Sequence, residues 1–302
     1  MSYRQLNRVV PWIVTPGLLI FLWFRVDGAE ALARLDNLHT GWLVAGLFLA
    51  SLQVVLSALR WRLTAWQVGA PMARAWSVRE YYLGSFLNQL LPGGVAGDVF
   101  RAWRHRRKDE QGQGDLRFFP ALRIVMIERG AGYLILLPFA ATGAFLWIPA
   151  PWNLLSCALL LGALAVLVVA PFYGERLPFL GALRTFLLEL RNGLLAPSVV
   201  TRQLLLSFLI FTIYVLVFAC SAHALQIPIA PLFLFTAVPL LLLSMVLPFT
   251  VAGWGVREAA AVGLWGLSGY AVEDGLAISV GYGLLILLGA LPGAFVLIFD
   301  RR

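Results

Sequence analysis

The residues that could do chemistry in this chain are the few charges set inside apolar sequence. Asp98 and Arg101 follow the break in LLPGGVAGDVFR at 90–101. Glu128 and Arg129 lie within RIVMIERGAGYLILL, and Arg257 and Glu258 within LPFTVAGWGVREAA. A guanidinium presents forked donors that match phosphate oxygens. Glycine lets backbone approach a ligand closely, and a helix starting after a break offers free amides and a positive dipole end. Arg101, Arg257 and the glycines Gly93, Gly94, Gly97, Gly253 and Gly255 therefore form a candidate site for a phosphate-bearing lipid headgroup. Asp98, Glu128, Arg129 and Glu258 are candidates to hold those arginines, to bind a cationic headgroup group or to couple movement to protons.

Each of these residues also has a structural reading. Pro and Gly can kink packed helices while arginines snorkel to headgroups, and Arg257 can form an ion pair with the adjacent Glu258. A charge at bilayer depth costs at least about 2.5–3.5 kcal/mol on insertion scales, so it faces a partner or a cavity. Successive helix positions do not face each other, so Glu128 and Arg129 should find partners elsewhere, such as Asp98 or Arg101. Arg60, Trp61 and Arg62 read as an interfacial anchor ending a span, with a headgroup contact as the alternative. His39, His105 and His223 form no evident cluster, and no paired-aspartate metal motif occurs. Cys157 and Cys220 lie in apolar runs without metal spacing, and no disulfide is expected. No catalytic residue, metal or cofactor is expected.

The elements that position these residues must live in lipid. The chain has 302 residues, 61% of them hydrophobic and 13% charged, with a mean hydropathy of +0.85. A soluble domain carries about 25% charged residues. The pattern predicts an all-α polytopic membrane protein with full spans near 9–25, 41–59, 119–148, 153–173, 199–225 and 275–299. Two regions, 78–107 and 231–270, are interrupted by Pro and Gly and predict broken hairpins, re-entrant in preference to a pair of full crossings, which would satisfy the same count. Non-helical backbone at membrane depth is tolerated only where protein or a water-filled cavity surrounds it. The stretch 177–195 suits an interfacial amphipathic helix or a short cytoplasmic packing helix. Short alternating segments of a β-barrel are absent.

The net charge is +8. Its Lys and Arg cluster between apolar segments, which points to cytoplasmic loops and anionic lipid rather than nucleic acid. From Arg101 to Arg123 there are seven Lys/Arg against three acids, and 174–202 holds four Arg and two Glu. Both should be cytoplasmic, while the uncharged 149–152 and 226–231 should face outward. Arg4, Arg8, Arg301 and Arg302 place both termini inside, and the first apolar run reads as a retained helix. The whole is one transmembrane domain.

LPGGVAGDVFR at 91–101 matches LPFTVAGWGVR at 247–257 at six of eleven positions. GYLILLPFAATGAF at 132–145 loosely echoes GYGLLILLGALPGAF at 281–295. The charge bias runs corresponding spans in opposite directions. Repeat halves near 41–148 and 199–299 would then be inverted, a plan that recurs in transporters with broken helices near the midplane.

LSALRWRL (56–63), GSFLNQLLPGGVAGDVFRAW (84–103), IVMIERGAGYLILL (124–137), LPFTVAGWGVREAA (247–260) and LPGAFVLI (291–298) carry a family resemblance. Together they resemble the lysylphosphatidylglycerol synthase transmembrane-region family, the flippase-like membrane domain of multiple peptide resistance factors. The most specific blocks are Ala96-Gly97-Asp98 through Arg101, and Gly253-Trp254-Gly255-Val256-Arg257-Glu258. These glycines are no dinucleotide fingerprint, since βαβ context is lacking. The resemblance implies a multi-pass protein of the bacterial or archaeal inner membrane that moves an aminoacylated phospholipid or another envelope lipid, such as a polyprenyl-phosphate carrier. The complete synthases add a soluble aminoacyl-transferase domain after the membrane part. This chain ends at Arg302, so it is not expected to make lysylphosphatidylglycerol by itself. Expected partners are membrane lipids, and a separately encoded lipid-modifying enzyme or a second copy of the chain. The competing readings are an accessory subunit and a membrane-embedded lipid-phosphate enzyme using Asp98 or Glu128.

Overall fold

A computed structural model describes residues 14–21, 38–91, 94–109, 117–176, 181–246 and 250–299. Among the described residues there are helices and turns and no strand. Hydrocarbon offers backbone groups no partner, so each segment must satisfy its own. Five helices are long and apolar enough to cross a membrane. They are α1 (Thr40–Gln67), α4 (Phe118–Trp147), α5 (Trp152–Val169, continued by a 3-10 turn), α7 (Val200–Ala224) and α10 with α11 (Val272–Ala290 and Pro292–Phe299). The protein is thus an all-α, multi-pass membrane protein. The sixth expected span, 9–25, is described only at 14–21, which is helical.

Each interrupted region folds as an antiparallel pair. The first is α2 (Arg74–Leu90) with α3 (Ala96–Asp109), and the second is α8 (Pro231–Ser244) with α9 (Val256–Leu267). Near the first tip the Gly97 amide donates to Asn88 Oδ1 at 2.7 Å; near its open end Arg104 donates to Glu80. In the second, Met245 lies against Gly253 near the tip, and Phe233 meets Trp265 edge-on at 4.7 Å near the open end. Every arm is shorter than the roughly 20 residues a full span needs. Each pair enters and leaves at one end of the bundle, as a re-entrant hairpin does.

The helix between 177 and 195 is α6 (Gly181–Leu190), followed by a π turn at Arg191–Leu195; residues 177–180 lie outside the described residues. Leu190 and Leu194 bury against Ile127 and Ala131 of α4, while Arg184 faces out. Arg123 clamps it with a two-bond fork onto Glu189, at 2.6 and 2.8 Å. Both side chains are partly exposed, so Arg123→Ala is expected to destabilise by only about 1 kcal/mol. Glu189→Gln should cost about as much. The double substitution should cost no more than either single one, because one interaction is lost in all three. Thermal unfolding in detergent checks this, and additive losses would mean the pair is not a unit.

Helices α1 and α7 form the centre and run antiparallel. The His39 amide donates to the Ala224 carbonyl at one end, Gly46 abuts Cys220, Arg60 donates to Ser207, and Gln203 donates to Thr64 toward the other end. Around this pair the two halves exchange contacts. Gly143 of α4 meets the backbone carbonyl of Thr236 on α8, in the hairpin of the other half. Gly293 of α11 meets the backbone carbonyl of Tyr82 on α2 in the same way. These two glycines are the ones that coincide in the GAF echo at 143–145 and 293–295. Antiparallel equivalents with reciprocal cross-packing are the signature of an inverted repeat.

The ends differ in charge as the sequence predicts. Gln67 meets Ser198, and Arg123 meets Glu189, so the basic segments share one end. Trp147 donates to Thr236 beside the uncharged connections at the other.

Candidate functional site

The first cluster forms where α3 leaves the hairpin tip and crosses α1 and α4. Arg101 is 1% exposed and Glu128 is fully buried. Glu128 Oε1 accepts from Arg60 Nη2 at 2.7 Å, from Arg60 Nε at 3.2 Å and from the Tyr81 hydroxyl at 3.3 Å. Its Oε2 accepts from Arg101 Nη2 at 2.8 Å. Arg101 Nε donates to Asp98 Oδ1 at 3.0 Å, and Asp98 Oδ2 accepts from Arg129. Arg60 Nη1 reaches Ser207 Oγ at 3.1 Å. The Arg101 guanidinium sits 4.4 Å from the Tyr81 ring centre and 4.9 Å from that of Trp61. Stacking on two ring faces replaces part of its lost hydration. Arg101 Nη1 and Trp61 Nε1 are buried donors with no acceptor among the described residues.

The second cluster forms where α9 starts. Glu258 Oε1 accepts from Arg257 Nε at 3.0 Å and from its Nη2, and from Ser279 Oγ at 3.0 Å. Arg257 Nε also donates to Ser279 Oγ at 3.0 Å. Glu258 Oε2 accepts from the Gly255 amide at 2.6 Å, closing the start of the helix. Arg257 stacks 4.9 Å from Trp254 and 5.1 Å from Tyr282. The loop can make this turn because Gly253 and Gly255 take φ of 78° and 87°, a region that side chains with a Cβ disfavour. The helical stretch 14–21 covers it, with Thr15 Oγ1 accepting from the Val251 amide at 2.9 Å.

The two clusters occupy opposite halves of the bundle. On α7 the first is marked by Ser207 and the second by Phe218, which stacks on Tyr282 at 3.8 Å. The step of eleven residues from one to the other amounts to about 16 Å of helix at 1.5 Å per residue. Tyr214 lies between, within electrostatic reach of Tyr81, Arg129 and Arg60 on one side and Tyr282 on the other.

The structure brings together Asp98, Arg101, Glu128 and Arg129, and separately Arg257 and Glu258. Glu128 and Arg129 do pair elsewhere and not with each other. Several expectations need correction. Arg60 and Trp61 are buried, not interfacial, and α1 continues two turns past them. Hydrophobicity stops at Arg60 but the helix does not, because Glu128 neutralises that charge from a neighbouring helix. Arg62 is half-buried and donates to the Met72 carbonyl at 2.9 Å. The amides expected to be free for an anion at the two helix starts are partly taken. Asn88 holds that of Gly97 and Glu258 that of Gly255. Gly97 serves helix packing, since a Cβ there would run into the Gly84 carbonyl oxygen. Gly94 takes a φ of 62°; Pro92, Gly93 and 247–249 lie outside the described residues.

Tyr81, Ser207, Trp254, Ser279 and Tyr282 were missed. A tyrosine or serine in an apolar helix carries no signal by itself, because only its neighbours in space distinguish a packed residue from a charge partner.

The buried charges, both hairpins and their reciprocal packing fall within 9–293, the stretch that matches the family model for the lysylphosphatidylglycerol synthase TM region. No curated protein matches the chain. With a match over nearly its whole length, the chain belongs to the lysylphosphatidylglycerol synthase TM region family.

Proposed function

We propose that this protein binds an anionic, phosphate-bearing envelope lipid and moves it across the inner membrane. The observation that carries the reading is the pair of buried arginines on reciprocal broken hairpins, one in each half of the bundle. Each lies in an apolar protein against two aromatic rings, a setting that favours a ligand combining charge with hydrocarbon. The basic end faces the cytoplasm, following the positive-inside bias. Arg101 then meets a lipid phosphate from the cytoplasmic side, and Arg257 lies on the outward half of the path. The lipid leaves chemically unchanged, so the protein acts as a carrier and not as an enzyme.

Purified protein in proteoliposomes with headgroup-labelled lipids tests this. Wild type is expected to move an anionic phospholipid between leaflets. Arg101→Gln and Arg257→Gln are each expected to slow that movement at least about tenfold, a loss of roughly 1.4 kcal/mol of stabilisation. Mass spectrometry should recover the lipid unaltered; altered lipid would favour a lipid-phosphate enzyme. Absence of movement for every lipid would favour an accessory subunit of a separately encoded lipid-modifying enzyme.

A further inference from the structure

The two clusters share a plan but differ in charge. The second holds Arg257 against Glu258, one positive and one negative charge, and its carboxylate oxygens are both occupied. The first holds Arg60, Arg101 and Arg129 against Asp98 and Glu128. Three positive charges against two negative leave one positive charge over. That excess coincides with a donor, Arg101 Nη1, that meets no acceptor among the described residues, on a side chain 1% exposed. Trp61 Nε1, on the ring against which Arg101 stacks, is a second such donor. Arg129 is the member that reaches the surface, its side chain 46% exposed while its partner Asp98 is nearly buried. An unbalanced charge in an apolar interior is expensive, and unpaired buried donors add to the cost.

We infer that, in the arrangement described here, the Arg60–Arg101–Arg129 cluster is the receptor for one singly charged anion, a phosphodiester headgroup, and that the Arg257–Glu258–Ser279 cluster, already neutral, is closed to a second. This inference rests on the lipid-binding reading above and adds to it a charge and a stoichiometry. One phosphodiester, carrying one negative charge, brings the first cluster to neutrality with its carboxylates in place. A phosphomonoester, with up to two negative charges at pH 7 and above, overshoots and must displace Asp98 or Glu128 or acquire a proton. The second cluster is already neutral, so an added anion there has nothing to balance it. In this arrangement one hairpin's cluster is open to a headgroup and the other is fastened.

The test is equilibrium binding to the full chain in nanodiscs of zwitterionic lipid at pH 8. The probes are fluorescent short-chain phosphatidylglycerol, a phosphodiester, and fluorescent short-chain phosphatidic acid, a phosphomonoester. Wild type is expected to bind one phosphatidylglycerol per chain and to prefer it about tenfold over phosphatidic acid. Asp98→Asn raises the excess to two and is expected to reverse the preference. Arg129→Gln removes the excess and is expected to weaken both probes, phosphatidylglycerol at least about tenfold. Reading a ratio of two ligands on one sample keeps the result independent of how much protein folds. Two phosphatidylglycerols per chain, or an Asp98→Asn preference equal to wild type, would overturn the inference while leaving lipid binding intact. Failure of wild type to bind either probe would overturn the lipid-binding reading itself.

Discussion

Glu128→Ala is expected to yield little or no folded protein. The carboxylate is fully buried and accepts bonds from Arg60, Arg101 and Tyr81, which come from three different helices. Removing it raises the cluster's charge excess from one to two and strips Arg60 of its only carboxylate among the described contacts. Breaking a buried ion pair by deleting one partner costs about 3–5 kcal/mol, while whole-domain stabilities are about 5–15 kcal/mol. Glu128→Gln keeps the shape and one acceptor oxygen, so it should fall between alanine and wild type. Fluorescence-detected size exclusion with a thermal ramp reads both. An alanine variant that melts like wild type would mean Glu128 does not join these helices. The ranking matters as much as the size. Arg129→Gln, which touches only Asp98 from a half-exposed position, should cost far less than Glu128→Ala.

Gly143→Val and Gly293→Val are expected to be as damaging, for a steric reason. At each position an added Cβ would occupy the space of a backbone carbonyl oxygen, that of Thr236 or of Tyr82. Backbone cannot turn aside as a flexible side chain can, so each helix must separate from the hairpin it packs on. Even alanine should lower the melting temperature by many degrees at both sites. Overpacking typically costs about 1–3 kcal/mol, and a backbone obstruction belongs at or above the top of that range. Gly162→Ala is the matched control: it lies in α5 with nothing near its missing Cβ, and alanine there should stabilise by up to about 1 kcal/mol. The two sites are also a test of the repeat. If the reciprocal packing is right, the variants should fail alike, whereas a tolerant Gly293 beside an intolerant Gly143 would break the equivalence.

Much of the architecture was legible in the residues. Runs such as 200–224 can only be helices in hydrocarbon, because any other form leaves amides and carbonyls without partners. The breaks near Pro92 and Pro248 marked both hairpins, and the basic segments 101–123 and 174–202 marked one end of the bundle. The echo at 91–101 and 247–257 pointed to a repeat, and the GAF echo contained the two glycines that pack on the opposite hairpins.

The charged site was legible in its members but not in its pairing. Asp98, Arg101, Glu128 and Arg129 stand out because charge is costly in apolar sequence. Arg60 did not stand out, because an arginine at the end of an apolar run looks the same whether it reaches water or a carboxylate 68 positions away. By itself, the sequence determined the class of protein, its broken hairpins, its repeat and the list of buried charges, all consequences of local composition acting against lipid. Only the tertiary structure decided which charges meet, that one cluster balances and the other keeps an excess, and that Gly97 serves packing. Those outcomes depend on contacts between helices distant in sequence, where a side chain's partner is set by the crossing of backbones and not by its neighbours along the chain.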